Sequence, residues 1–165
     1  MKLSVELEHG LLPDKYGKFA GEEYRAFDVP VVNFPIEITD IPAGTQTLSV
    51  SLIDYDAVPV GGFPWIHWLA ANLPVEDIAE DLAHGSLTYV KGTNSFWSKV
   101  KDNPALTQAY IGPMPPDQTH NYTLSVFALD AELDLADGFF LNELRNASVG
   151  HVLDIALLDL PSRAN

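Results

Sequence analysis

The chain predicts a mainly β fold with a single late helix, and three observations lead there. Twelve Pro and 11 Gly punctuate the 165 residues at short intervals, leaving little room for long helices. Apolar residues alternate, or run continuously, over stretches of strand length. Helical spacing emerges once, over Phe139–Ala147, where Phe140, Leu144 and Ala147 fall on one face ahead of Gly150. One domain spanning residues 1–165 is expected, since no repeat, low-complexity stretch or composition shift marks a boundary.

In chain order, Leu3–Leu7 alternates as a first strand, and Asp14–Glu23 is a polar loop carrying Gly17 and Gly21. Asn33–Thr39 predicts a short strand whose Pro35 assigns it to an edge or a strand start. The turn at Ile41–Gly44 leads into Thr45–Ile53, a strong central strand whose apolar stretch Leu48–Ile53 is interrupted only by Ser. A Pro/Gly loop, Val58–Pro64, separates it from the apolar strand Trp65–Leu73. Val75–His84 is acidic and predicts one helical turn begun by Pro74, with Glu76, Asp77, Glu80 and Asp81 as a solvated face. Ser86–Val90 is a further strand, and Gly92–Asp117 a long irregular segment of the sort that carries function. Asn121–Leu129 and Val152–Leu160 complete the strands on either side of the helix.

Charge narrows the function classes. Twenty-three acids against 9 bases give a formal net charge of −14, a field that repels nucleic acid and anionic membrane surfaces. A phosphate-bearing ligand must therefore be bound locally, against the global field. No Cys is present, which excludes disulfides and thiolate metal sites. No apolar run reaches the roughly 20 residues that span a bilayer. The opening MKLSVELEHG lacks the apolar core of a signal peptide, so a cytoplasmic location is expected.

Chemistry concentrates in two places. The central strand ends in Asp54 and Asp56, and the next strand carries His67 between Ile66 and Trp68. Strand alternation assigns Asp54 and Asp56 to one face, and Trp65, His67 and Leu69 to another common face opposite Ile66 and Trp68. Further on, Gly112–Pro116 is poor in backbone donors, and His120 and Tyr122 share a face at the start of the next strand. Taken singly, His67 reads as a core histidine, and the two acids as loop-capping groups.

Together these stretches resemble the phosphatidylethanolamine-binding protein family, in its bacterial Raf-kinase-inhibitor-like branch. Asp54-Tyr-Asp56-Ala57, Pro59, His67-Trp68 and Asn72-Leu73-Pro74 match the first motif of that family. Gly112, Pro115, Pro116, His120 and Tyr122 match the second, and Gly92–Phe96 resembles the loop between them. Two positions depart: Asn121 stands where the family has Arg, and Val58 delays the proline after Ala57 by one residue. The resemblance implies a β-sandwich, a large Greek-key antiparallel sheet on a smaller sheet, with few short helices. It implies a small pocket for phosphate or phosphoethanolamine-type anions, lined by Asp54, Trp65, His67, Gly112, Pro116, His120 and Tyr122, with Asp56, Pro59 and Pro115 in support. Relatives that modulate kinases and bacterial members that form dimers make a protein partner and a homodimer through exposed edge strands the expected associations. No cofactor is expected, and no metal, since no short-range ligand pair such as His-x-x-x-His is present.

An anion needs donors, and the imidazoles, the Tyr122 hydroxyl and backbone N–H groups near Gly112 are the candidates. Asp54 then either accepts a hydrogen bond from a histidine and holds it charged, or is protonated when the ligand binds. Asp56 is assigned to the loop, accepting backbone N–H groups. The alternative is a hydrolase or metal-dependent enzyme using Asp54, His67 and His120. No nucleophile motif supports it, and binding is the favoured class.

Overall fold

A computed structural model describes all 165 residues. Its centre is a five-stranded antiparallel sheet in the order β7-β6-β5-β8-β9. The strands are β5 (Thr47–Asp54), β6 (Trp65–Leu73), β7 (Val90–Lys91), β8 (His120–Leu129) and β9 (Val152–Ser162). β6 follows β5 through a short connection, whereas β8 reaches β5 only after the long intervening segment. Two small ribbons complete the β structure: β1 (Lys2–Ser4) with β4 (Glu37–Thr39), and β2 (Arg25–Ala26) with β3 (Val29–Pro30).

β5 is buried along almost its whole length, which explains its nearly continuous apolar run. Leu48, Val50 and Leu52 stand opposite Ala128, Val126 and Leu124 of β8, all fully buried. This face meets Phe34, Ile36 and Ile38, on and just before β4, to form the main core. Each such side chain contributes about 1.5–3 kcal/mol on burial. The other face packs near β6 against Leu133, Phe139 and Leu144, the last on helix α3 (Leu141–Ala147). Glu143 starts that helix by accepting the Phe140 N–H at 2.8 Å.

The strands the sequence predicts over the large sheet are present, with ends shifted by a few residues. Several local expectations change. The first strand stops at Ser4, and the strand expected over Asn33–Thr39 keeps only Glu37–Thr39. The Val58–Pro64 loop contains a one-turn helix, α1 (Val58–Gly61), with Pro59 in its first turn and Gly62 in the left-handed conformation closing it. Pro74 starts no helix; the turn in that region is the 3-10 segment Leu82–His84. There Ile78 pairs with Ile36, and Asp77 accepts the Ile38 N–H, so tertiary pairing overrides the local signal. Only Val90 survives of the strand expected over Ser86–Val90. Gly92–Asp117 holds two further single turns, the 3-10 turn Ser95–Ser98 and α2 (Pro104–Thr107).

The alternation read for β6 holds over Trp65, Ile66 and His67 and breaks at Trp68. Leu52 pairs with Trp68 but Ile53 pairs with Ile66, so His67 is an extra residue in a β-bulge. Trp68 therefore enters the main core while Ile66 packs on the opposite face, and these two neighbours of His67 do not share a side. Beyond the bulge, Trp65 stands opposite Asp54. No helix is long and apolar enough to cross a membrane.

Candidate functional site

At one end of the large sheet, Trp65, Asp54 and Tyr122 lie side by side across β6, β5 and β8. They continue the face that carries Leu52 and Leu124, so the main core opens here instead of closing on another apolar layer. The opening is a cavity of about 410 Å³. Asp54, His67, His120 and Tyr122 form its polar side; Val60, Phe63, Trp65, Phe96, Met114 and Pro116 form most of its apolar wall; Lys99 lies at the rim.

His67 lines this cavity, and the backbone of Ile111 holds it on both sides. The Ile111 N–H donates to the His67 carbonyl at 3.0 Å, and the imidazole Nδ1–H donates to the Ile111 carbonyl at 2.8 Å. Burial depresses the pKa of His67 to about 4, more than that hydrogen bond and the Asp54 charge can offset. His67 is thus a neutral imidazole with Nδ1–H engaged and Nε2 a free acceptor facing the cavity.

His120 is the opposite case. Its Nδ1 lies 2.8 Å from Asp54 Oδ2 and its Nε2 2.9 Å from Asp117 Oδ1. Two carboxylates on the two ring nitrogens both require N–H donors, so the ring is an imidazolium. Burial alone would lower its pKa, yet the hydrogen bonds to Asp54 and Asp117 prevail and raise it. Tyr122 lies between the two imidazoles, edge-on to His67 at 5.0 Å and 6.4 Å from His120, centroid to centroid. Burial, then the Asp54 charge, pushes the pKa of its phenol up, so it stays a neutral hydroxyl. Asp54 also accepts the Ala57 N–H at 3.0 Å, which ties the end of β5 to α1.

The wall is built from the irregular segment. Asn94, buried, donates to the carbonyls of Leu106 and Ala109 and accepts from the Phe96 N–H, while the Ser95 hydroxyl accepts the Ile66 N–H. These bonds bring Phe96 edge-on to Trp65, which stacks on Phe63. Lys99 Nζ lies over Trp65 at 5.0 Å and over Phe96 at 5.6 Å.

Over residues 4–162 the chain matches the family model described as phosphatidylethanolamine-binding protein. The chain belongs to that family. It is 46% identical over 158 residues to the protein YxkA of Bacillus subtilis (strain 168), covering 92% of this chain and 94% of that one. A UPF0098 protein of Chlamydia muridarum is 31% identical over 147 residues, covering 87% and 89%. Among solved structures, the phosphatidylethanolamine-binding protein homolog CT736 of Chlamydia trachomatis superposes with a TM-score of 0.78, at 25% identity and 99% and 97% coverage. YbcL of Escherichia coli shares the fold, with a TM-score of 0.77 at 17% identity and 99% and 98% coverage.

In this family member, Asp54, Trp65, His67, Pro116, His120 and Tyr122 line the cavity, as the motif match implies. Gly112 does not. Its N–H is taken by the Pro30 carbonyl at 2.9 Å, so it is no donor to the cavity. A Cβ there would meet the Tyr16 carbonyl oxygen at 2.0 Å, so the glycine permits close backbone packing behind His67. Asp56 lies beyond the end of β5 and accepts the Asn121 N–H at 2.8 Å. That bond uses backbone, so it is made equally by Asn or Arg at 121. Pro59 is exposed on α1, and Pro115 is buried with its carbonyl accepting from Lys18. Sequence reasoning missed Lys99 and Asp117. Asp117 follows the Pro-Pro pair and precedes His120 by three residues, a turn-range spacing that was its one local signal.

A two-histidine-one-carboxylate metal centre is not assembled. Both nitrogens of His120 and one of His67 are engaged, and no group of three or more His, Asp or Glu side chains has metal-holding geometry.

The two histidines give stability opposite pH dependences. The unfolded chain binds a proton at His67 near pH 6.5 and the folded one only near 4. Acidification between those values therefore removes on the order of 3 kcal/mol. For His120 the folded pKa is raised, so its contribution is complete below about pH 6.5 and is lost as pH climbs through the folded value. Urea melts across this range, alongside imidazole NMR, should give a stability maximum between the two limbs, with His67 unprotonated until about pH 4. A His67 ring titrating near 6.5 contradicts this assignment.

Proposed function

We propose that this protein binds small tetrahedral oxyanions, phosphate or phosphomonoester groups of the phosphoethanolamine type, in the cavity between β5, β6 and β8. The observation carrying this reading is the pairing, on one cavity wall, of a buried imidazolium, His120, with a neutral imidazole, His67, whose Nε2 is free. A phosphate monoanion complements that pair. Its P–OH donates to His67 Nε2, while its remaining oxygens accept from the Tyr122 hydroxyl and the Lys99 ammonium. Asp54 is tolerated because the His120 imidazolium offsets one of the two carboxylates it holds, and Lys99 brings a second positive charge to the cavity. The Phe63–Trp65–Phe96 wall supplies apolar surface for the organic part of a monoester.

Because the ligand arrives carrying a proton, or His67 takes one up with the dianion, affinity falls as pH rises past the ligand's second ionisation, near 6 for a phosphomonoester. Titration with inorganic phosphate or phosphoethanolamine, followed by imidazole NMR, should move the His67 and His120 signals at millimolar ligand. His67→Ala should lose at least tenfold in affinity while remaining folded; tenfold corresponds to about 1.4 kcal/mol. Static imidazole signals at millimolar ligand refute the reading.

A further inference from the structure

We propose that Asp117 decides which anions the cavity accepts, by holding the Nε2–H of His120 in the free protein. An anion that takes an imidazole N–H here must displace this carboxylate, so simple monocarboxylates gain nothing by the exchange and oxyanions with three or more acceptor oxygens are favoured. The inference rests on the anion-binding reading above.

The two carboxylates on His120 are not equivalent. Asp54 is anchored: it ends β5, its side chain is 5% exposed, and it also carries the Ala57 N–H. Asp117 is 53% exposed, and no backbone–backbone hydrogen bond ties Pro116–Thr119 to the fold. Of the two acids, only Asp117 can leave without dismantling the sheet end. The other N–H of His120 is committed to Asp54, and the Nδ1–H of His67 to Ile111, so the bond to Asp117 is where an incoming anion gains an imidazole donor.

The exchange discriminates by counting acceptors. Acetate would replace one charge-assisted carboxylate bond with an equivalent one and lose its translational freedom, with no compensating gain. It would also compete against a tethered carboxylate whose effective concentration is millimolar or higher. Phosphate takes over the same N–H and has oxygens left for Tyr122, Lys99 and His67, which all line the cavity. Displaced Asp117 returns to solvent, so the negative charge close to the ligand falls by one.

The test titrates wild type, Asp117→Ala and Asp117→Asn with sodium acetate and with inorganic phosphate at fixed ionic strength, reading the His120 imidazole by NMR. Wild type should show no saturable response to acetate in the tens of millimolar, while Asp117→Ala binds it in the low millimolar range and binds phosphate about tenfold tighter. Asp117→Asn should lie between, because its amide oxygen still accepts from Nε2–H but without charge. Without ligand, the pKa of His120 should fall in both variants. Phosphate binding by wild type with no gain for either anion in Asp117→Ala overturns the role of Asp117 alone, as does an unchanged His120 pKa. Failure of phosphate to bind wild type and variants alike overturns the anion-binding reading, and this inference with it.

Discussion

Asp54→Ala will cost the fold on the order of 3–5 kcal/mol, the range for breaking a buried ion pair by removing one partner. His120 is fully buried and Asp54 nearly so, at 0% and 3% exposure. Truncation leaves the imidazolium with only the exposed Asp117, and frees the Ala57 N–H at the start of α1. The ring escapes part of the penalty by losing its proton, so the pKa of His120 drops together with stability. For a domain of this size each kcal/mol is worth about 2–4 °C, so a melting temperature lower by roughly 10 °C is expected. Asp54→Asn keeps an acceptor for Ala57 and should lose less. Urea denaturation with His120 titration measures both effects; an Ala variant as stable as wild type would show that the pair contributes nothing.

Gly112→Ala should be comparably severe, although it adds one methyl group to a loop. The new Cβ would lie 2.0 Å from the Tyr16 carbonyl oxygen and 2.8 Å from Pro30 Cγ, so backbone has to move. Overpacking of this sort costs about 1–3 kcal/mol where side chains can yield, and more where the obstacle is backbone. The displaced segment is the one whose Ile111 clamps His67, so the effect reaches the cavity. The variant should be destabilised by roughly 3 kcal/mol or more. Its His67 should titrate closer to 6.5 as the ring gains solvent. Normal stability with an unshifted His67 would place the glycine's value elsewhere.

The contrast between Gly112 and Asp117 marks how far the sequence can be read. The motif match implied Gly112 as a cavity residue, yet its contribution is backbone clearance. Asp117 belongs to no motif element, yet its carboxylate touches the ring that charges the cavity. Lys99 was equally silent: its place over Trp65 depends on Asn94 and Ser95 fastening a long segment across the sheet end, and such long-range bonds leave no periodic trace. The short strands β2, β3, β4 and β7, of two or three residues, hold too few side chains for period-two alternation to register.

By itself the sequence determined the mainly β class, the long strands β5, β6, β8 and β9, the late helix, the family, and the residue types converging on the cavity. Those follow from burial, which writes alternation and apolar runs into any strand long enough to show them. The tertiary structure alone decided the ionisation of those residues. One extra residue in β6 shifts Trp68 into the main core, Ile111 fixes His67 as a neutral ring, and His120 is charged by Asp54 and by an acid from outside the motifs. The physical reason is that register and proton affinity are set by partners across strands and loops, at distances of a few ångströms, and sequence separation says nothing about them.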